Sequence, residues 1–108
     1  MEIKLASVVE RLAALAQAHR LAVFRLLVVA GPEGRAAGDI ADAVGLPASS
    51  LSFHLAHLKR AGLLTVVRDG RSLRYAADFD AMRGLVDFLT ENCCAGAACA
   101  SVLEGTAI

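Results

Sequence analysis

The sequence has no tryptophan, and aromatic residues make up only 5% of it, although 56% of its residues are hydrophobic. Alanine, leucine and valine supply most of that hydrophobic content, which favours helices that pack closely together. Long hydrophobic runs are also missing. The longest aliphatic stretch, residues 26–30, is far shorter than the ~20 residues of a membrane span, and residues 1–16 lack the continuous apolar core of a signal peptide. We therefore expect a cytoplasmic protein with no membrane partner.

Net charge is absent too, but the charges are unevenly distributed along the chain. Residues 46–75 contain five cationic side chains against the single anion Asp69, a balance of +4, and residues 76–108 contain one cation against five anions, a balance of −4. The five cations are Lys59, Arg60, Arg68, Arg71 and Arg74. A basic patch on a neutral protein is typical of a surface that binds a polyanion. The alternative is a chance cluster on a solvated face.

The spacing of apolar residues predicts five helices and one hairpin. Helices are expected over residues 3–16, 19–30, 37–44, 48–60 and 79–91, and strands over residues 63–67 and 73–76, joined by a turn at Asp69-Gly70. Gly45 separates the two central helices. This order predicts a mainly α fold with a small β-hairpin, a winged helix-turn-helix, in which residues 48–60 form the recognition helix. Residues 1–91 would form the DNA-binding and dimerisation domain, and residues 92–108 a cysteine-bearing C-terminal tail.

The recognition helix is expected to bury Leu51, Leu55 and Leu58 and to present its other side to double-stranded DNA. Phe53 would either contact thymine methyl groups or help to fill the core. His54 and His57 could donate to phosphates, pack as rings or, less simply, bind a metal. Ser49 is expected to cap the helix as well as to contact DNA. The predicted DNA-binding residues are Ser49, Ser50, Ser52, Phe53, His54, Lys59, Arg68 and Arg71.

A chain of 108 residues forms one domain with a core of marginal size. The terminal helices, residues 3–16 and 79–91, are strongly amphipathic and are not expected to face DNA. We therefore expect a homodimer through these terminal helices, which would present two recognition helices one DNA turn apart. The alternative is that both helices complete the core of a monomer.

Three segments resemble the arsenic-repressor (ArsR) family of metal- and metalloid-responsive regulators. They are "LAQAHRLAVFRLL" at 15–27, "GDIADAVGLPASSLSFHLAHLKRAGLL" at 38–64 and "RDGRSLRYAA" at 68–77. The resemblance implies a homodimeric repressor that leaves its operator when an inducer binds. The sequence departs from the best-known members, which carry a Cys-x-Cys pair before the turn, because "AAGDIADAVG" at 36–45 contains no cysteine. Some members hold trivalent arsenic in a C-terminal cysteine cluster, and the tail of this sequence resembles theirs.

The only cysteines are Cys93, Cys94 and Cys99, within the stretch "CCAGAAC". Thiolates select soft, thiophilic centres, and three of them suit pyramidal As(III) or Sb(III) better than tetrahedral zinc. Adjacent residues of an α-helix point ~100° apart, so the helix is expected to end near Glu91 and let a loop wrap one metalloid per protomer. As(III) or Sb(III) would then be the inducer, with no catalytic cofactor.

Other chemistries remain open for these cysteines. Cys93 or Cys94 could close a disulfide onto Cys99 as a redox switch, the thiols could hold another thiophilic ion or an organoarsenical, or the cluster could be inert. An enzyme is not expected, because a nucleophilic cysteine is favoured at the start of a helix whereas Cys93 follows a helix end. A winged-helix module that binds proteins rather than DNA is disfavoured by the basic residues 59–74.

Overall fold

The computed structural model describes residues 5–96 as five α-helices, a three-stranded sheet and a short 3₁₀ turn. The elements are α1 (Leu5–Leu15), α2 (Ala18–Ala30), β1 (Arg35–Ala36), α3 (Ala37–Val44), α4 (Ala48–Arg60), β2 (Leu64–Asp69), β3 (Ser72–Ala77), α5 (Phe79–Leu89) and the turn Cys93–Gly96. The predicted winged helix-turn-helix is confirmed, and α3 and α4 have the predicted bounds. Helix α5 ends two residues before Glu91, the predicted end.

The first two helices meet at a sharp bend of 101°. The side chain of Gln17 caps α2 by accepting from the Arg20 amide at 2.9 Å, and Arg20 Nε donates to the Ala14 carbonyl at 2.6 Å. These bonds fix the angle between α1 and α2. Within residues 5–96, no single helix is long and apolar enough to cross a membrane, and α1 and α2 pass that test only as a bent pair.

The helix-turn-helix consists of α3, Gly45 and α4. Gly45 has φ +72°, a left-handed conformation that glycine adopts without steric cost. Helix α4 then begins after Pro47, whose φ of −63° suits a helix start. Pro47 occupies the N-cap position, and no side chain caps the helix there. The prediction that Ser49 caps α4 is therefore wrong, because Ser49 already lies in the first turn.

The wing contains one more strand than the sequence predicts. Strands β2 and β3 pair as an antiparallel hairpin, with Asp69 opposite Ser72, and β1 adds to the free edge of β3, with Arg35 opposite Tyr75. Arg74 reinforces this edge, because its guanidinium donates to the carbonyls of Glu33 and Gly34 at 2.9 and 3.1 Å. The wing is thus fastened to the segment that leads into α3.

The core lies between α2, α3, α4 and the base of the sheet. Its largest fully buried side chains are Leu27, Ile40, Leu51, Leu58, Leu63, Val8 and Val23. Leu55 is also buried, so the predicted inner face of α4 is confirmed. The terminal helices contribute little to this core: α1 buries Val8 and Ala14, and α5 buries Ala81 and Leu85.

Candidate nucleic-acid interface and cysteine turn

The outer face of α4 is exposed and carries the side chains that the sequence predicts to meet DNA. Ser49, Ser52 and Phe53 are exposed, and Ser50 is half-buried. Phe53 is 81% exposed, so it does not fill the core of the protomer. A large aromatic side chain held in solvent beside small hydroxyl groups can contact thymine methyl groups in a major groove.

One edge of α4 packs against the start of α2 and brings two histidines together. The rings of His19 and His54 stack with their centroids 5.7 Å apart and their planes at 29°. Burial, followed by the nearby Arg20, His19 and His57, lowers the pKa of His54 from its ordinary value near 6.5. The fold therefore favours the neutral form of His54 relative to that of a solvent-exposed histidine. Sequence reasoning missed its partner His19, because the contact depends on the angle between α2 and α4.

A metal site at these histidines finds no support in the described part of the chain. Within residues 5–96, no three histidine, cysteine, aspartate or glutamate side chains come together as a set of metal ligands.

The other edge of α4 faces the wing and carries the positive charge. Lys59 and Arg60 are exposed in the last turn of α4, and Arg68 and Arg71 are exposed on either side of the wing tip. Arg74 is different, because its guanidinium is bonded to main-chain carbonyls beside β1. Four of the five cations in the basic segment are therefore presented to solvent, and the fifth holds the wing in place.

The cysteine turn follows α5 directly. Thr90 ends the helix, with its hydroxyl donating to the Val86 carbonyl at 2.8 Å, and the Cys93 amide donates to the Thr90 carbonyl at 3.0 Å. Cys93 and Cys94 are both exposed. Cys99, the third predicted ligand, lies outside the described residues.

The backbone of this turn is far from helical. Asn92, Cys94 and Ala95 have φ of +56°, +58° and +57°, a left-handed conformation that non-glycine residues adopt rarely. Successive side chains therefore do not point in the ~100° steps of an α-helix. The expectation that the helix ends before the cysteines is confirmed.

Comparison with known proteins gives the same architecture. A helix-turn-helix domain model matches residues 15–67. The HTH-type transcriptional regulator YgaV of Escherichia coli (strain K12) is 30% identical over 79 residues, which cover 73% of this chain and 80% of YgaV. An ArsR-like transcriptional regulator from Rhodococcus sp. RHA1 superimposes with a TM-score of 0.69 at 25% identity, over 78% of this chain and 76% of the other.

A third relative is described as an oligomer. The homodimeric winged helix-turn-helix DNA-binding domain of Mb0332 from Mycobacterium bovis, a possible ArsR-family regulator, superimposes with a TM-score of 0.64 at 30% identity. The match covers 82% of each chain. All three relatives are described as transcriptional regulators, which confirms the prediction that this protein is not an enzyme. The chain belongs to the ArsR-type family of winged helix-turn-helix transcriptional regulators.

Proposed function

We propose that this protein is a repressor that binds operator DNA as a homodimer and is released when As(III) or Sb(III) is captured by Cys93, Cys94 and Cys99. The observation that carries the proposal is the placement of the cysteine turn. Only three residues separate it from α5, a helix that leaves apolar side chains exposed. An inducer bound at the turn would therefore act directly on a candidate dimer interface.

DNA binding is supported by the shape and charge of the α4 surface. Helix α4 can enter a major groove with Phe53 and Ser49 toward the bases, and Arg68 and Arg71 can reach the backbone or the adjacent minor groove. Lys59 and Arg60 add charge at the end of α4, where cations also suit the helix dipole. Because these contacts neutralise phosphates, the affinity for DNA should fall steeply as salt is raised.

A homodimer is supported by the exposed apolar side chains of the terminal helices. On α1, Leu5 and Val9 are 66% and 56% exposed, and on α5, Val86 and Leu89 are 52% and 58% exposed. An apolar groove of about 430 Å³ between α2 and α5 extends this surface. The relative Mb0332 is described as homodimeric. Within residues 5–96 these side chains are not buried in the core, so a second copy of the chain is the partner we propose.

As(III) capture is supported by the chemistry of the donors. Three thiols can replace the three hydroxyl groups of arsenous or antimonous acid, each forming a metalloid–sulfur bond and releasing one water molecule, and the lone pair of the metalloid occupies the remaining direction. The non-helical backbone at Cys94 and the small residues that follow allow the chain to curl around one centre. We propose one metalloid per protomer, because all three ligands come from one chain.

Release of DNA would follow from a change at α5. Capture of the metalloid by Cys93, Cys94 and Cys99 would shift the end of α5, and the dimer interface would pass this shift to the spacing of the two α4 helices. Couplings of this kind are typically ~1–3 kcal/mol, which corresponds to a roughly 5- to 150-fold loss of DNA affinity.

The metalloid site can be tested by counting reactive thiols. Under a phosphine reductant, which does not compete for arsenic as a dithiol would, one equivalent of arsenite should protect all three cysteines of wild type from a thiol reagent. Each single variant, Cys93→Ser, Cys94→Ser or Cys99→Ser, should bind arsenite far more weakly. Protection of only two thiols would favour an organoarsenical or another two-thiol ligand. A Cys99 disulfide formed under mild oxidant, without arsenite protection, would favour the redox switch.

A further inference from the structure

A cleft of about 260 Å³ separates the recognition helix from the wing. It is lined by Ser52, Leu55, Ala56 and Lys59 of α4 and by Val66, Leu73 and Tyr75 of the sheet. The alternation of side chains along β2 and β3 explains this lining. Val66 is paired with Tyr75 in the register, so both side chains lie on the sheet face that is turned toward α4.

The cleft combines an apolar wall with three groups that can bind a phosphate. Ser52 and Tyr75 carry hydroxyl groups, and Lys59 carries a positive charge. Within residues 5–96, no hydrogen bond of the Tyr75 hydroxyl to a protein atom is present, and this hydroxyl is not buried away from solvent. Tyr75 is thus a donor that the fold itself does not use.

The position of the cleft fits one strand of duplex DNA. Helix α4 is the element for a major groove and the wing is the element for the neighbouring minor groove, and a sugar–phosphate backbone always separates two such grooves. That backbone must cross the gap between α4 and the wing, which is where the cleft opens. The surrounding exposed cations Lys59, Arg60, Arg68 and Arg71 complement its charge.

We propose that this cleft is a phosphate seat, a site that binds one sugar–phosphate unit of the operator. Tyr75 is then a DNA-binding residue. The deoxyribose lies against Ala56, Val66 and Leu73, and the phosphate is held by Lys59 together with the hydroxyls of Ser52 and Tyr75. A phosphate that accepts from two hydroxyls and an ammonium group is bound more tightly and in a more defined position than one held by charge alone. This inference rests on the proposed DNA binding. The bound sugar–phosphate unit would hold the wing and α4 on the same DNA strand.

Tyr75→Phe tests the seat, because it removes only the hydroxyl and leaves the ring in place. The probe is a labelled duplex that covers the region upstream of the protein's own gene, and binding is measured by fluorescence anisotropy over a range of salt concentrations. Loss of a hydrogen bond to a charged group should weaken binding about tenfold. The dependence of affinity on salt should not change, because tyrosine neutralises no phosphate charge, whereas Lys59→Gln should reduce the salt slope by about one counterion.

The matched control is Thr65→Val, which removes an exposed hydroxyl from the opposite face of the same sheet. It should leave the affinity unchanged. In the double variant of Lys59 and Tyr75, the combined loss should be smaller than the product of the single losses, because both groups hold the same phosphate.

Two results would overturn the seat while leaving DNA binding intact. One is salt-dependent binding of wild type that Tyr75→Phe leaves unaltered. The other is strict multiplication of the two single effects, which would place the residues on different phosphates. A wild-type protein with no salt-dependent binding to any duplex would instead contradict the proposed function itself, and the seat with it.

Discussion

Gly34→Ala should destabilise the protein more than the same exchange at Gly45, although both glycines lie in turns with a positive φ. Gly34 has φ +68°, and a Cβ built on it would lie 2.2 Å from the carbonyl oxygen and 2.8 Å from the carbonyl carbon of Tyr75. Both atoms belong to the backbone of β3, so no side-chain rotation can relieve the clash. Strand β1 must move away from β3 by about 1 Å to restore ordinary van der Waals separation.

The size of the effect has two parts. A left-handed conformation costs an L-residue about 1–2 kcal/mol. Separating β1 from β3 at the Arg35–Tyr75 pair weakens one or two backbone hydrogen bonds, each worth roughly 0.5–1.5 kcal/mol. We therefore expect a total loss of about 3–4 kcal/mol, which is a large share of the 5–15 kcal/mol that is typical for a folded domain.

Gly45→Ala is the matched control, because Gly45 has nearly the same φ, +72°, and nothing lies within 4 Å of an added Cβ. It should lose only the conformational part, about 1–2 kcal/mol. Urea unfolding followed by circular dichroism gives both values, and an unchanged m-value shows that they are comparable. If Gly34→Ala is as stable as Gly45→Ala, the close approach of β1 to β3 is wrong.

Three further substitutions test side chains at the surface of the fold. Because the pKa of His54 is lowered in the fold, the stability that neutral His54 contributes is fully present above the ordinary pKa of about 6.5 and is lost as pH falls through the lower folded-state value. In thermal unfolding, the melting temperature of His54→Gln should therefore fall less on acidification than that of wild type. Phe53→Ala should weaken binding to duplex DNA severalfold while changing the free energy of unfolding by less than about 0.5 kcal/mol, because the ring is exposed. Val86→Glu should shift the protein toward monomer in analytical ultracentrifugation, whereas Val67→Glu, a change at an equally exposed valine of the wing, should not; equal effects of the two would place the interface elsewhere.

The sequence predicts the helices of this protein well because their signals are local. The run of apolar residues at helical spacing in α4, with glycines before and after it, determines its type and its bounds from neighbouring positions alone. The inner face of α4 follows from the same spacing. The hairpin is also a local signal, since Asp69-Gly70 stands between two strands of β-branched and apolar residues.

The features that the sequence does not predict all depend on distant contacts. Strand β1 is two residues long, too short for any periodic pattern, and it forms because Arg35 and Ala36 meet β3 some forty positions later. The role of Arg74 changes with it, from a member of the basic patch to the residue that fastens this edge. The His19–His54 stack and the cleft at Tyr75 likewise require the packing angles of helices and sheet, which no local pattern encodes.

The apolar surface of the terminal helices is predicted by the sequence only in part. Their amphipathic spacing predicts an apolar stripe, but a stripe does not tell whether the protomer or a second copy covers it. Within residues 5–96, Val9, Val86 and Leu89 stay more than half exposed, so the rest of this part of the chain does not cover them. A second copy of the chain is the partner proposed for these side chains, and the cysteine turn lies just beyond α5.

The measurement that tests the central claim most directly is arsenite titration of the protein bound to labelled DNA from upstream of its own gene. It is followed by anisotropy under a phosphine reductant, for wild type and for a variant with Cys93, Cys94 and Cys99 all changed to Ser. Both proteins should bind the duplex with equal affinity, and arsenite should release wild type at about one equivalent per protomer while the variant stays bound. Arsenite that releases neither protein, or both alike, would contradict a repressor controlled by its three C-terminal thiols.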